Sequence, residues 1–120
     1  MNAPSPGRAS IDASIAASTD ASIDAFVDAL WIEDGLSANT LAAYRRDLTL
    51  FAQWRERTRG GAIDQTTEAD LRAYAVARHG HSKASSANRR LTVFKRFFRW
   101  ALREHLVRAD PTLKLLSARQ

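Results

Sequence analysis

KASSANRRLTVFKRFFRWALREHLVR, running from Lys83 to Arg108, decides how this chain folds. Leu91, Phe94, Phe98, Ala101 and Leu102 recur at the three- and four-residue spacing that lines one side of an α-helix. The same stretch carries Lys83, Arg89, Arg90, Lys95, Arg96, Arg99, Arg103 and Arg108 against a single acid, Glu104. Its surplus of seven positive charges exceeds the +5 of the whole chain. A helix with one oily side and one cationic side joins a core through the first and meets a polyanion through the second. Nucleic acid is the leading polyanion for such a surface.

Three further helices precede it. Ile23, Phe26, Val27, Leu30 and Trp31 share one face of a helix spanning about Asp20 to Asp34, with Asp20 or Ser22 as cap and Gly35 as left-handed exit. Ser37 is an N-cap for a second helix reaching about Thr58, striped by Leu41, Tyr44, Leu48 and Phe51 and stopped at Gly60-Gly61. Thr67-Glu-Ala-Asp70 resembles a capping box that opens a third helix ending near Gly80, with Leu71, Tyr74 and Ala75 facing inward. The fourth starts between Lys83 and Ser85, reaches about His105, and is punctuated by Asp110-Pro111. No strand pattern of useful length and no fixed-period repeat is present. The fold class is therefore all-α, a small four-helix orthogonal bundle.

The chain has 120 residues, enough for one compact domain around one core. Residues 1–19 are rich in Ala, Ser and Pro, with Ile11 and Ile15 as the only large aliphatics, and are expected to form a mobile tail. Residues 20–110 form the helical domain. Residues 111–120 carry Leu113, Leu115 and Leu116 but no further element, and read as the start of a linker towards an absent domain. Without cysteine the chain has no disulfides and no Cys-based zinc site. No apolar run is long enough to cross a bilayer, and the N-terminus lacks a secretory pattern. A cytoplasmic location is expected. Charge is split along the chain: Asp12, Asp20, Asp24, Asp28, Glu33 and Asp34 precede any central Lys or Arg, and the last part is basic.

Helical spacing puts Ser85, Arg89, Thr92, Arg96, Arg99 and Arg103 away from Leu91, Phe94 and Phe98, with Arg89, Arg96 and Arg103 aligned along the axis. On the second helix Asn39, Ala42, Ala43 and Arg46 lie opposite Leu41 and Leu48, with Arg45 at the flank. Arginine reaches phosphates and the O6/N7 edge of guanine, asparagine reads adenine, and small hydroxyls near helix starts hold phosphates. Two such surfaces can share one groove of a duplex. Enzyme motifs are missing. His79 and His81 flank Gly80 without an evident third metal ligand; His105 is a helix-end residue; Tyr44 and Tyr74 sit in apolar stripes; Asp24 and Asp28 are surface charge. Trp54 and Trp100 fall off the main stripes, where they either contact a partner or fold over the rim of the core.

Phe26-Val-Asp-Ala-Leu-Trp31, Gly35-Leu-Ser-Ala-Asn-Thr-Leu41 and Ala43-Tyr-Arg-Arg-Asp-Leu48 resemble the start of the XerD/XerC tyrosine recombinases. So do Ser85-Ser86-Ala-Asn-Arg-Arg-Leu91, Phe97-Phe98-Arg-Trp100 and Ala109-Asp-Pro-Thr112, and the likeness is nearer the XerD branch. It covers about Ile23 to Thr112, in order and at matching spacings. The resemblance implies a SAM-like core-binding domain that forms one half of a clamp on double-stranded DNA. It places the nucleophilic tyrosine and its Arg, Lys and His helpers in a separate catalytic domain, so this chain is expected to bind DNA without cutting it and to need no cofactor or metal. By matching position it implies DNA contacts from Ser37, Asn39, Thr40, Arg45 and Arg46 on the second helix. On the fourth it implies Lys83, Ser85, Ser86, Arg89, Thr92, Lys95 and Arg96. It further implies a XerC-like partner protomer in a tetramer on DNA, resolution of chromosome or plasmid dimers, and a monomeric isolated domain without membrane association. The competing readings are a phage or transposon integrase domain and a helical module docking an acidic protein. Under the DNA reading, replacing Arg89 and Arg96 by Ala is expected to weaken binding more than replacing the controls Arg55 and Arg57.

Overall fold

In the computed structural model of the chain, the described residues are 6–81 and 83–115, with side chains described from residue 13. Helix α1 spans Pro6–Ala29 and is continued by a π-helical turn, Leu30–Asp34. Helix α2 spans Ala38–Thr58, a 3-10 turn covers Ile63–Gln65, α3 spans Glu68–Arg78 and α4 spans Ala84–Arg103. No strand occurs among the described residues. The all-α, four-helix class read from the sequence is the architecture observed.

Local signals account for the ends. Ser37 caps α2 by accepting the Thr40 N–H at 3.2 Å. Thr67 and Asp70 form a reciprocal capping box on α3, with Asp70 N–H to Thr67 Oγ1 at 3.1 Å and Thr67 N–H to Asp70 Oδ2 at 3.0 Å. Gly35 leaves the first helix at φ +61°. Helix α1 departs from the sequence expectation. It begins at Pro6, so only residues 1–5 of the expected tail lie outside the described residues. Alanine has the highest helix propensity, and proline suits a first helical position. A nucleus already packed at Ile23 and Phe26 lets the helix run backwards through Ala-rich sequence. Thr19 anchors this segment: it is buried and accepts the Ile63 N–H at 3.2 Å.

The core has two aromatic groups that meet along α4. Phe26 of α1 packs edge-on to Phe97 at 5.3 Å and against Trp100 at 5.6 Å. Phe51 of α2 meets Phe94 at 5.0 Å and Tyr74 of α3 at 5.1 Å. Trp54 closes over this second group, 5.2 Å from Tyr74. Both Trp54 and Trp100 therefore belong to the packed interior and its rim. The buried stripe of α4 is wider than its sequence pattern, taking in Val93 and Phe97, while Leu102 is turned outward. Trp31 is also turned outward, 58% exposed. The π-turn adds a residue to that turn of helix, which rotates Trp31 off the face that Leu30 still occupies.

Arg55 ties the far end of the bundle. It is buried on α2 and donates through Nε to Asp70 at 3.0 Å, through Nη1 to the carbonyls of Gly60 and Ala62, and through Nη2 to that of Gln65. Gly60 and Gly61, at φ +77° and +90°, bend the loop so that its carbonyls converge on the guanidinium. Arg55 is thus a fold residue and unsuited to the control role the sequence assigned it. Burial alone raises the Asp70 carboxyl, but the Thr67 N–H and the Arg55 guanidinium outweigh it and leave the pKa below its usual value. At the other end, Thr112 is 2% exposed and bonded to Asp110, and Leu115 packs on the core. Packing therefore continues past residue 110, where the sequence placed the linker; residues 116–120 lie outside the described residues.

Asp70→Asn breaks the buried pair and is expected to cost about 3 kcal/mol of unfolding free energy in urea at neutral pH. A carboxyl with a depressed folded pKa stabilises fully above its unfolded value, near 3.8, and loses that contribution as pH falls through the folded value. The parent should therefore lose stability below about pH 4 more steeply than the variant; equal acid slopes would contradict the role given to Asp70.

Candidate nucleic-acid interface

The cationic side of α4 does not stand apart from the rest of the fold. Its N-terminal half crosses α2. There Asp47, buried at 5% side-chain exposure, receives Arg89 through two bonds, Nε to Oδ2 at 2.9 Å and Nη2 to Oδ1 at 3.1 Å. The Arg89 side chain remains 39% exposed. The hydrogen bond to Asp47 pushes the Arg89 pKa up, whereas burial pushes that of neighbouring Arg90 down. Two turns beyond, Arg96 lies over the Tyr44 ring at 6.0 Å and reaches Asp34 at 3.4 Å. Arg103 reaches Glu33 at 3.3 Å.

The arginines at 89, 96 and 103 line up as their spacing requires, and each meets a carboxylate of another element. These pairs explain part of the charge asymmetry along the sequence. Acids at the end of the first helix lie against the C-terminal half of α4. Arg45 is likewise paired with Asp24 of α1.

Between α2, the end of α3 and the start of α4 lies an open cleft of about 410 Å³. Arg46, Arg78, Lys83, Arg89 and Arg90 line it, with His81, Ser86 and Asp47. Asp47 is the only carboxylate in that lining. The cleft therefore brings together Arg46 from the second-helix set and Lys83, Ser86 and Arg89 from the fourth-helix set. Asn39, Ser85 and Thr92 are exposed on the same two helices, and Lys95 is half-buried. Ser37 and Thr40 bond each other at the α2 N-cap, with Ser37 Oγ donating to Thr40 Oγ1 at 3.0 Å.

Sequence reasoning missed Asp47, His81, Arg78 and Arg90 as members of this cleft. Asp47 did leave a trace: it is a lone acid beside Leu48 in the Tyr44–Leu48 stretch of the apolar stripe, where a buried carboxylate needs a cationic partner. The others depend on how α3 ends against α4, which no local pattern encodes. Among the described residues no three His, Cys, Asp or Glu side chains come together as a metal site, and no helix is long and apolar enough to cross a membrane. Tyr44 and Tyr74 are buried, and burial raises the Tyr74 pKa.

Comparison with known proteins gives a concordant result. The family model for the phage integrase N-terminal SAM-like domain matches residues 23–105. The chain is 67% identical over 92 residues to the tyrosine recombinase XerD of Ralstonia nicotianae, a match covering 77% of this chain and 30% of that protein. It is 42% identical over 88 residues to the XerD of Proteus mirabilis, covering 72% and 28%. With the XerD of Pseudomonas putida it shares 42% over 87 residues, covering 72% and 29%. The chain spans about 30% of the length of these curated relatives.

The two classes of ion pair on α4 should differ in strength. Glu33→Gln with Asp34→Asn removes exposed partners and is expected to cost less than about 1 kcal/mol. Asp47→Ala strips Arg89 of two charge-assisted bonds and is expected to cost about 2 kcal/mol. Urea unfolding of both variants checks the difference, and equal losses would contradict it.

Proposed function

This chain belongs to the phage integrase N-terminal SAM-like domain family, in the tyrosine recombinase XerD branch, and on that premise we propose that it binds duplex DNA as one half of a clamp. The observation that carries the proposal is the cleft where α2 and the start of α4 meet. Five cationic side chains there face one buried carboxylate. Phosphates attract such a surface whatever their sequence, and each cation that pairs with one releases a condensed counterion. Exposed Ser85 and half-buried Ser86 at the start of α4 add short hydroxyls beside free backbone N–H groups, the arrangement that suits a phosphate oxygen. Exposed Asn39 and Thr92 bring donors and acceptors within the reach of base edges.

The contact set proposed is Ser37, Asn39, Thr40, Arg45 and Arg46 from α2 with Lys83, Ser85, Ser86, Arg89, Thr92, Lys95 and Arg96 from α4. Within it, Arg46 and Lys83 hold phosphates, and Arg45 and Arg96 exchange intramolecular carboxylates for phosphates when the duplex arrives. The chain itself performs no chemistry in this proposal. In the intact protein a catalytic domain joined through the segment from residue 111 supplies the nucleophilic tyrosine. A XerC-like protomer completes a tetramer that resolves circular-replicon dimers in the cytoplasm.

Fluorescence anisotropy with a labelled duplex tests the binding step. With about five phosphate contacts, the logarithm of affinity should fall against the logarithm of salt with a slope near −4.5. Arg46→Ala and Lys83→Ala should each make that slope shallower by about 1. Arg72→Ala, on the outer side of α3 and paired with Glu68, should leave it unchanged. No binding at low salt, or a slope near zero, would contradict the proposal.

A further inference from the structure

We propose that Arg89 is a base-reading residue aimed by Asp47, and that the base it selects is guanine. This rests on the duplex-binding reading above. Arg89 offers five N–H groups in a fixed plane. Asp47 engages one side of that plane, taking Nε at 2.9 Å and Nη2 at 3.1 Å. The end formed by Nη1 and Nη2 keeps two parallel donors. Guanine presents two acceptors, O6 and N7, at the matching separation in the major groove. No other base pair edge accepts both.

The placement of the carboxylate favours aiming over simple helix-to-helix tethering. Asp47 is the one carboxylate in a cleft lined by five Lys and Arg side chains, and a negative charge there weakens the attraction for phosphate. Phosphate binding needs no defined approach angle, and Arg46 and Lys83 on the same cleft have no carboxylate partner among the described residues. Base reading does need an angle. Fixing the guanidinium beforehand removes the rotamer entropy that a free arginine loses on binding. Burial of Asp47 in the α2 stripe, beside Tyr44 and Leu48, sets the carboxylate back from the duplex while holding Arg89 at the cleft.

The test selects preferred sequences from a randomised duplex library with the 120-residue chain, and compares it with Arg89→Lys and Asp47→Asn. Average affinity for the unselected library and helical circular dichroism are measured alongside. The parent should enrich guanine at one position, and replacing that G·C pair by A·T should weaken binding about tenfold. Arg89→Lys keeps the charge and should lose the guanine preference, with a smaller loss of affinity for the unselected library than for the parent's selected sequence. Asp47→Asn should also lose the preference, while its average affinity holds or rises because a negative charge has gone. Absence of guanine enrichment by the parent would overturn the proposal, as would a preference that survives in Arg89→Lys. So would Asp47→Asn binding all sequences more tightly with the preference intact, which makes Asp47 a screen and not an aiming group. If Asp47→Asn loses its helical signal, Arg89→Lys decides alone. A parent that binds no duplex at low salt overturns the duplex-binding reading itself, an outcome distinct from binding without base preference.

Discussion

The crossing of α2 over α4 is the constraint on which the rest of the molecule depends. On its inner side Phe51 meets Phe94, and Tyr74 of α3 closes the group. On its outer side Asp47 takes Arg89, and Tyr44 underlies Arg96. Apolar packing brings the two helices to a fixed separation. The ion pair, stronger for being half-buried and doubly bonded, sets how their polar faces stand to each other. The core places the two helices side by side, and the pair fixes where the Arg89 guanidinium stands on the surface they share.

Electrostatics then divides α4 along its length. Its C-terminal half gives Arg96 and Arg103 to acids at the end of the first helix. These pairs are exposed and individually weak, and their effect is to lower local positive charge there. Its N-terminal half borders the cleft with Arg46 and Lys83. The fold thus pairs the aligned arginines of α4 with carboxylates of other elements and gathers cations of three helices around the cleft at its N-terminal end. Arg55 and Asp70 perform a separate task at the opposite end of α2, fixing the loop that leads into α3.

The four helices and the caps of α2 and α3 were legible because each is set by local chemistry: Ser37, Thr67 with Asp70, and Gly35 act within one turn of themselves, whereas Asp20 and Ser22, read as caps of the first helix, lie inside α1. What the sequence hid was tertiary. Residues before Asp20 looked too polar to order, yet alanine continues a helix that Ile23 and Phe26 have already anchored. Trp31 matched the apolar period, but a π-turn rotated it outward. Arg55 stood in the sequence only as a control for DNA binding, yet it is buried on α2 and bonded to Asp70 and to three carbonyls of the loop. Within the candidate site, the positions on α2 and α4 followed from periodicity. Which arginine meets which carboxylate did not, since Arg89 and Asp47 are far apart along the chain and only the helix crossing brings them together.

The most direct measurement is a titration of the isotopically labelled chain with a short duplex, following backbone amide signals by NMR at low salt. The account predicts that shifts concentrate at the start of α2, around residues 38–47, and at the start of α4, around residues 84–96. The outer face of α3 and the acidic face of α1 should stay silent. Shifts confined to α1 or α3, or none at all, would contradict the assignment of the α2–α4 surface to DNA.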